Sequence, residues 1–237
     1  MRRSEQLAKE KTLKKNLGLL GALLAVLIAL VVVPLAGCGS SSGSGESASS
    51  ADSSSSATSD ATDEASSDDP YATGTHHATI EVENYGTIEV ALNANVAPIT
   101  VSNFCKLANE GFYDGLTFHR IIDGFMIQGG DPNGDGTGGS DQTIKGEFSE
   151  NGVSNPISHV RGTISMARSS AYDSASSQFF IMQKTTTSLD GQYAAFGTVT
   201  SGMEIVDAIC ENTPVEDSNG TVAAENQPKI TKVTIVD

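Results

Sequence analysis

Residues 39–70 hold nothing that a hydrophobic core could use. They contain fourteen Ser, three Gly and seven acidic residues, with no aromatic and no branched aliphatic side chain. Such a stretch has no apolar surface with which to offset its ordering entropy, so it is expected to be a solvated tether. A flexible coil of that length has an r.m.s. span of about 30 Å. The tether divides the chain. Any folded body must be built from residues 71–237, which is a comfortable single-domain size. The low apolar content of the whole chain, 38% with 5% aromatics and no Trp, partly reflects this division.

Upstream of the tether, Arg2, Arg3, Lys9, Lys11, Lys14 and Lys15 precede an uncharged run over residues 17–36, which leads into Leu35-Ala36-Gly37-Cys38. A basic start, an apolar stretch and small residues at its end form the pattern of an export signal. Leu-Ala-Gly-Cys resembles the bacterial lipobox, in which the Cys thiol is lipidated and becomes the mature N-terminus. Residues 1–37 are accordingly read as a lipoprotein signal peptide, Cys38 as the lipidated residue and residues 38–70 as anchor and linker. The other reading is an uncleaved anchor, since about twenty apolar residues can span a bilayer. Either reading puts the following domain outside the cytoplasm, tied to the cell membrane.

The formal net charge is −15, with an excess of six basic over two acidic groups confined to residues 1–15. Residues 71–237 carry eight bases and twenty acids. Nucleic-acid binding needs Lys and Arg to replace phosphate counterions, and this acidic body offers no basic stripe.

The body reads as mostly β. Residues 79–83, 87–90 and 232–236 alternate apolar with polar, as strands with one buried face do. Asn84-Tyr85-Gly86 between the first two reads as a hairpin turn. Two segments have helical spacing. In one, Val101, Phe104, Cys105 and Ala108 form a stripe behind Pro98, which suits a first turn. The other runs over residues 201–210, with Ser201 and Glu204 placed as a capping box and Met203, Val206 and Cys210 as its stripe. Short strands with two isolated helices predict a closed antiparallel barrel with helices over its ends. Cys105 and Cys210 lie on those stripes; an exported pair could form a disulfide, although buried single thiols are commoner.

Metal and phosphate chemistry find little support. His76-His77 reads as the start of a strand, and no His pair has zinc-ligand spacing with a third ligand nearby. The glycines of residues 129–139 are not followed by Lys-Ser/Thr, so they do not make a phosphate loop. Asp131-x-Asn133-x-Asp135-Gly136 opens like a calcium loop, but the twelfth position is Gln142 where a bidentate Glu is required. A Gly-rich surface loop is expected there, with no metal and no other cofactor.

The most informative block is Phe118-His119-Arg120-Ile121-Ile122-Asp123-Gly124-Phe125-Met126-Ile127-Gln128-Gly129-Gly130-Asp131. If residues 125–128 form a strand, Met126 and Gln128 point to one side of it. The block resembles the signature of the cyclophilin family of peptidyl-prolyl cis–trans isomerases. The resemblance continues through Gly162-Thr163-Ile164-Ser165-Met166-Ala167, Ser177-Gln178-Phe179-Phe180-Ile181 and Leu189-Asp190-Gly191-Gln192-Tyr193-Ala194-Ala195-Phe196-Gly197. It implies an eight-stranded antiparallel barrel with two capping helices over residues 71–237. It also implies a catalytic pair, in which Arg120 donates to the prolyl nitrogen and Gln128 orients the guanidinium. Phe125, Met126, Phe180 and Leu189 would line the proline pocket. Ala167 and Gln178 would lie along a peptide groove, with Arg168 beside it, and Tyr193 stands where many members carry His. Ser188 replaces a common Trp, Arg168 a common Asn, and residues 169–176 form a segment about one residue longer than usual. The partners implied are proline-containing polypeptides, met by a monomer. The alternatives weighed against a prolyl isomerase are a peptide-binding chaperone or scaffold that keeps the groove without needing the arginine, and a surface lipoprotein for solute capture or adhesion.

Overall fold

A computed structural model describes residues 68–237. The signal-peptide reading of residues 1–37, Cys38 and nearly all of the tether lie outside the described residues. Eight strands appear in chain order: β1 (Thr75–Val82), β2 (Gly86–Asn93), β3 (Thr117–Ile122), β4 (Met126–Asp131), β5 (Thr163–Met166), β6 (Phe179–Met182), β7 (Ala195–Ser201) and β8 (Ile230–Ile235). Helix α1 (Pro98–Asn109) follows β2, and α2 (Met203–Asn212) follows β7. The strands form one sheet in the order β3-β4-β6-β5-β7-β2-β1-β8, every pair antiparallel. The expected hairpin is present: Val82 opposes Gly86, and Asn84 takes a positive φ of 62° at the turn.

The sheet is a curled half-barrel, open where a closed barrel was expected. Its two end strands, β3 and β8, are not laddered to each other. The outward edge of β3 is instead taken up by the irregular chain ahead of β8. Ile121 N–H donates to Gly220 O, Val222 N–H to His119 O and Phe118 N–H to Pro228 O. Backbone groups on an edge need partners, and this segment supplies them without becoming a strand. That leaves two isolated bridges, Thr117 to Lys229 and Arg120 to Thr221, in place of a closing ladder.

Inside the curl, period-two alternation builds the core. Ile121, Ile127, Ile181 and Ile164 stand opposite one another across β3, β4, β6 and β5, each at most 1% exposed. Phe104 of α1 packs among Tyr113, Phe179 and Phe196 at ring-centroid distances of 5.1, 5.6 and 5.4 Å. Helix α1 starts at Pro98, as its sequence indicated, and its cap comes from far away in the chain. The buried Glu147 carboxylate accepts from Ile99 N–H at 3.0 Å, Thr100 N–H at 2.8 Å and Thr100 Oγ1 at 2.6 Å, satisfying donors that no local residue reaches. The capping box expected for α2 does not form. Ser201 is the last residue of β7, paired with Glu89, and the cap position falls to Gly202 at φ +91°, a conformation that favours Gly. Cys105 and Cys210 are both buried free thiols on separate helices. The folded body also begins slightly earlier than composition indicated. Asp69 pairs with Lys106 of α1 at 2.5 Å and accepts Tyr71 N–H at 2.9 Å.

Candidate active site

The row of residues one step along from the isoleucine core faces outward. Across the same four strands, Arg120 opposes Gln128, Gln128 opposes Phe180, and Phe180 opposes Ser165. Directly opposed residues share a face, so the register alone gathers a cation, an amide and an aromatic ring on the convex side. A β-bulge makes this possible. Phe118 opposes Gly129 while Arg120 opposes Gln128, so His119 is the extra residue. Without it, Phe118 and Arg120 would share a face; with it, Phe118 enters the core and Arg120 looks out. Gly129 is needed opposite Phe118, because a Cβ there would stand 2.7 Å from Thr117 O and 2.9 Å from the Phe118 ring.

Arg120 is held on two sides. Its Nη1 donates to Gln128 Oε1 at 3.2 Å, its Nε to Asn219 O at 2.9 Å and its Nη2 to Asn219 Oδ1 at 3.2 Å. A guanidinium has five N–H donors; these three bonds fix its plane and leave two for a ligand. Burial lowers its pKa from the ordinary value, opposed by Tyr193 and Asp217, and the group stays cationic at neutral pH. Asn219 was not found by sequence reasoning. Its turn did carry a signal in Asp217-Ser218-Asn219-Gly220, where the Asp217 carboxylate accepts Asn219 N–H at 2.9 Å and Thr221 N–H at 3.1 Å.

Gln128 is fixed in turn. Its Nε2 donates to Gln178 Oε1 at 2.9 Å, and Gln178 Nε2 donates to Gly136 O at 3.1 Å and Gly138 O at 2.8 Å. These amide orientations follow from the bonding network. Both Gln178 N–H groups are thereby used inside the protein. Gln178 stands behind Gln128 as a brace, half-buried and outside the residues that line the cavity. The other residues named from the sequence, Arg120, Phe125, Met126, Gln128, Ala167, Arg168, Phe180, Leu189 and Tyr193, all line one cavity of about 830 Å³.

The apolar part of that cavity is a cluster separate from the main core. Met126, Phe180 and Met182 are its buried members, and Phe125, Ala167, Leu189 and Tyr193 pack against it. Tyr193 meets Phe180 edge-on at 5.8 Å. Arg168 is clasped by three rings, with its guanidinium carbon 5.1 Å from Phe148, 5.1 Å from Tyr172 and 4.8 Å from Tyr193. Its Nε donates to Gln192 O at 3.0 Å, so the side chain that replaces the common Asn is locked in place. Ser188 is exposed on the 3₁₀ turn Thr187–Leu189, beside the cavity but outside its lining.

His159 lies beneath the pocket and was also missed. It is fully buried and stacks on Phe180 at 5.9 Å, with 17° between the planes. Its Nδ1–H donates to Asp190 at 2.9 Å, and its Nε2 accepts from Ser165 Oγ at 3.0 Å. Burial holds the ring below its ordinary pKa of 6.5, with Asp190 pulling the other way. The folded ring is therefore neutral where the unfolded one would be charged. Its contribution to stability is full above about pH 6.5 and is lost as the pH falls below that, because the unfolded chain then takes up a proton that the folded chain resists. Each pH unit in that window costs at most about 1.4 kcal/mol. The urea midpoint should accordingly fall between about pH 7.5 and 5.5, and fall less steeply in His159→Gln. An equal slope in the two proteins would remove His159 from this account.

Comparison with known proteins now decides the family. The family model described as cyclophilin type peptidyl-prolyl cis-trans isomerase/CLD matches residues 77–236. The chain belongs to the cyclophilin-type isomerases. It is 51% identical to peptidyl-prolyl cis-trans isomerase B of Bacillus subtilis over 123 residues, covering 52% of this chain and 82% of that protein. It is 45% identical to a Helicobacter pylori peptidyl-prolyl cis-trans isomerase over 144 residues, 60% of this chain and 85% of the relative. A Cryptosporidium parvum cyclophilin solved in the presence of the dipeptide Ala-Pro superposes with a TM-score of 0.60 at 31% identity, covering 68% of this chain and 99% of that one. As a cyclophilin-type isomerase, the chain is an enzyme whose family reaction is rotation about X–Pro bonds. The convex face just described is where this cyclophilin-type chain combines a fixed cation with an apolar pocket.

Proposed function

We propose that this cyclophilin-type enzyme accelerates X–Pro rotation in polypeptides outside the cytoplasmic membrane, by stabilising the twisted imide with Arg120. The observation that carries the reading is the cross-strand row in which a guanidinium with two uncommitted N–H groups stands beside the apolar cluster of Phe125, Met126 and Phe180. An X–Pro bond resists rotation by about 20 kcal/mol, the resonance energy lost on twisting. At the twisted geometry the prolyl nitrogen becomes pyramidal and regains a lone pair. A donor placed there acts more strongly on the transition state than on the planar ground state, and only such differential binding raises the rate. The apolar cluster would seat the proline ring, and the brace of Gln128, Gln178 and Asn219 would keep the donor from reorganising. Coupled isomerisation of a short X–Pro peptide tests this reading. Peptide binding without turnover would favour a scaffold.

The location rests on the sequence of residues 1–38. Cys38→Ser should abolish incorporation of labelled fatty acid and leave the domain folded, since Cys38 lies far from any strand in the sequence. Equal label on the native and substituted chains would refute lipidation at Cys38, and no label on either would favour the uncleaved anchor.

A further inference from the structure

The cavity does not end at Arg120. It continues past the guanidinium between the loop 133–136 and the segment 216–227, and this stretch carries Asp135, Glu216 and Glu225 with no Lys. Surface carboxylates alone are ordinary. Beneath them lies His119, the bulge residue of β3, which is 4% exposed, lines the cavity and has no hydrogen-bond partner at either ring nitrogen. Buried polar atoms in folded proteins almost always find partners, so this ring calls for a group supplied from outside. The cavity wall beside it is made of small residues, Gly134, Gly136, Ala223 and Ala224, and a Cβ at Gly136 would meet His119 Nε2 at 3.8 Å, an ordinary contact.

We propose that this stretch is a side-chain subsite for a Lys or Arg flanking the proline of the substrate polypeptide. The proposal rests on the isomerase reading above. Burial keeps the His119 ring below its ordinary pKa, against the pull of Asp131, so it is neutral and offers a lone pair to an N–H donor. Three carboxylates would neutralise the incoming cation, whereas an acidic side chain would meet like charge. A metal ion fits less well, since no group of three or more His, Cys, Asp or Glu among the described residues could hold one. At the other end of the groove Arg168 is held by its rings and repels a cation. The groove is thus electrostatically directional, and the basic side chain is expected on one side of the proline only.

The test measures kcat and KM of the full chain in detergent for X–Pro peptides that differ only in carrying Lys, Gln or Glu at each flanking position. At one position Lys should exceed Gln by roughly tenfold in kcat/KM, mainly through KM, and Glu should fall below both. Glu225→Gln should narrow the Lys-to-Gln ratio. Ala224→Trp, which fills the mouth from the exposed 3₁₀ turn Ala224–Asn226, should bring it to unity. Equal rates for the three peptides at every position would overturn the subsite and leave the isomerase reading intact. A preference for Lys at all positions, unchanged in both variants, would mean long-range attraction to an acidic protein and would also overturn it. No turnover of any peptide would defeat the isomerase reading and the subsite with it.

Discussion

Replacing Arg120 by Ala should lower kcat/KM for a short X–Pro peptide by roughly 10²–10³, the effect of losing one preorganised donor to the transition state, or about 2.7–4 kcal/mol. The protein should remain folded. Arg120 lies on the convex face, and its bonds are to Gln128 and Asn219, outside the isoleucine row that holds the strands together. The loss should appear in kcat more than in KM, because the planar substrate is seated by Phe125, Met126 and Phe180. Lys at this position keeps the charge but not the two-sided bracing, and should recover only part of the rate. An Ala variant with an unchanged rate and an unchanged circular dichroism spectrum would move catalysis elsewhere in the cavity.

Phe104→Ala should cost about 3–5 kcal/mol of stability, the range for removing a fully buried aromatic side chain and leaving a cavity behind. Phe104 is 0% exposed and touches Tyr113, Phe179 and Phe196, so several elements would lose a packing partner at once. Against a typical total of about 5–15 kcal/mol, this leaves a marginal domain. Activity measured well below the new midpoint should survive better than stability does, since Phe104 is not among the residues that line the active-site cavity. Chemical denaturation reads the result, and a loss below about 1 kcal/mol would mean that the aromatic cluster is not the keystone of the core.

What could be read from the chain follows from the range of each signal. The β1–β2 hairpin, α1 and the placement of Met126 and Gln128 on one side of their strand depend on neighbours within a few residues, and residue alternation shows them. The open seam could not be read. The edge of β3 is satisfied by residues about a hundred positions later, in a segment with no periodicity, so nothing local distinguishes an open sheet from a closed one. The cap of α1 has the same character: Glu147 is far from Ile99 in sequence. Ser201 and Glu204 had the spacing of a capping box, but strand pairing claimed Ser201 and left the cap to Gly202. Within the site, the resemblance brought together the residues that line the cavity. It did not bring in Asn219, His119 or His159. Asn219 acts through its backbone carbonyl as well as its side chain, His119 owes its position to a bulge, and His159 touches the pocket only from behind. Gln178 shows the converse, a residue whose identity was legible while its bonding, turned inward to Gln128 and the 136–138 loop, was not.

Exchange spectroscopy on a proline peptide at equilibrium, with a catalytic amount of the full chain in detergent, tests the assignment to Arg120 most directly. It follows rotation of the bond itself without a coupling protease. Unaided cis–trans exchange takes tens to hundreds of seconds at about 25 °C, so the free peptide shows no exchange cross-peaks at sub-second mixing times. Cross-peaks should appear with the native chain and disappear when a folded Arg120→Ala chain replaces it. Cross-peaks of equal strength with both chains would contradict the role given to Arg120, and their absence with the native chain would contradict catalysis at this face.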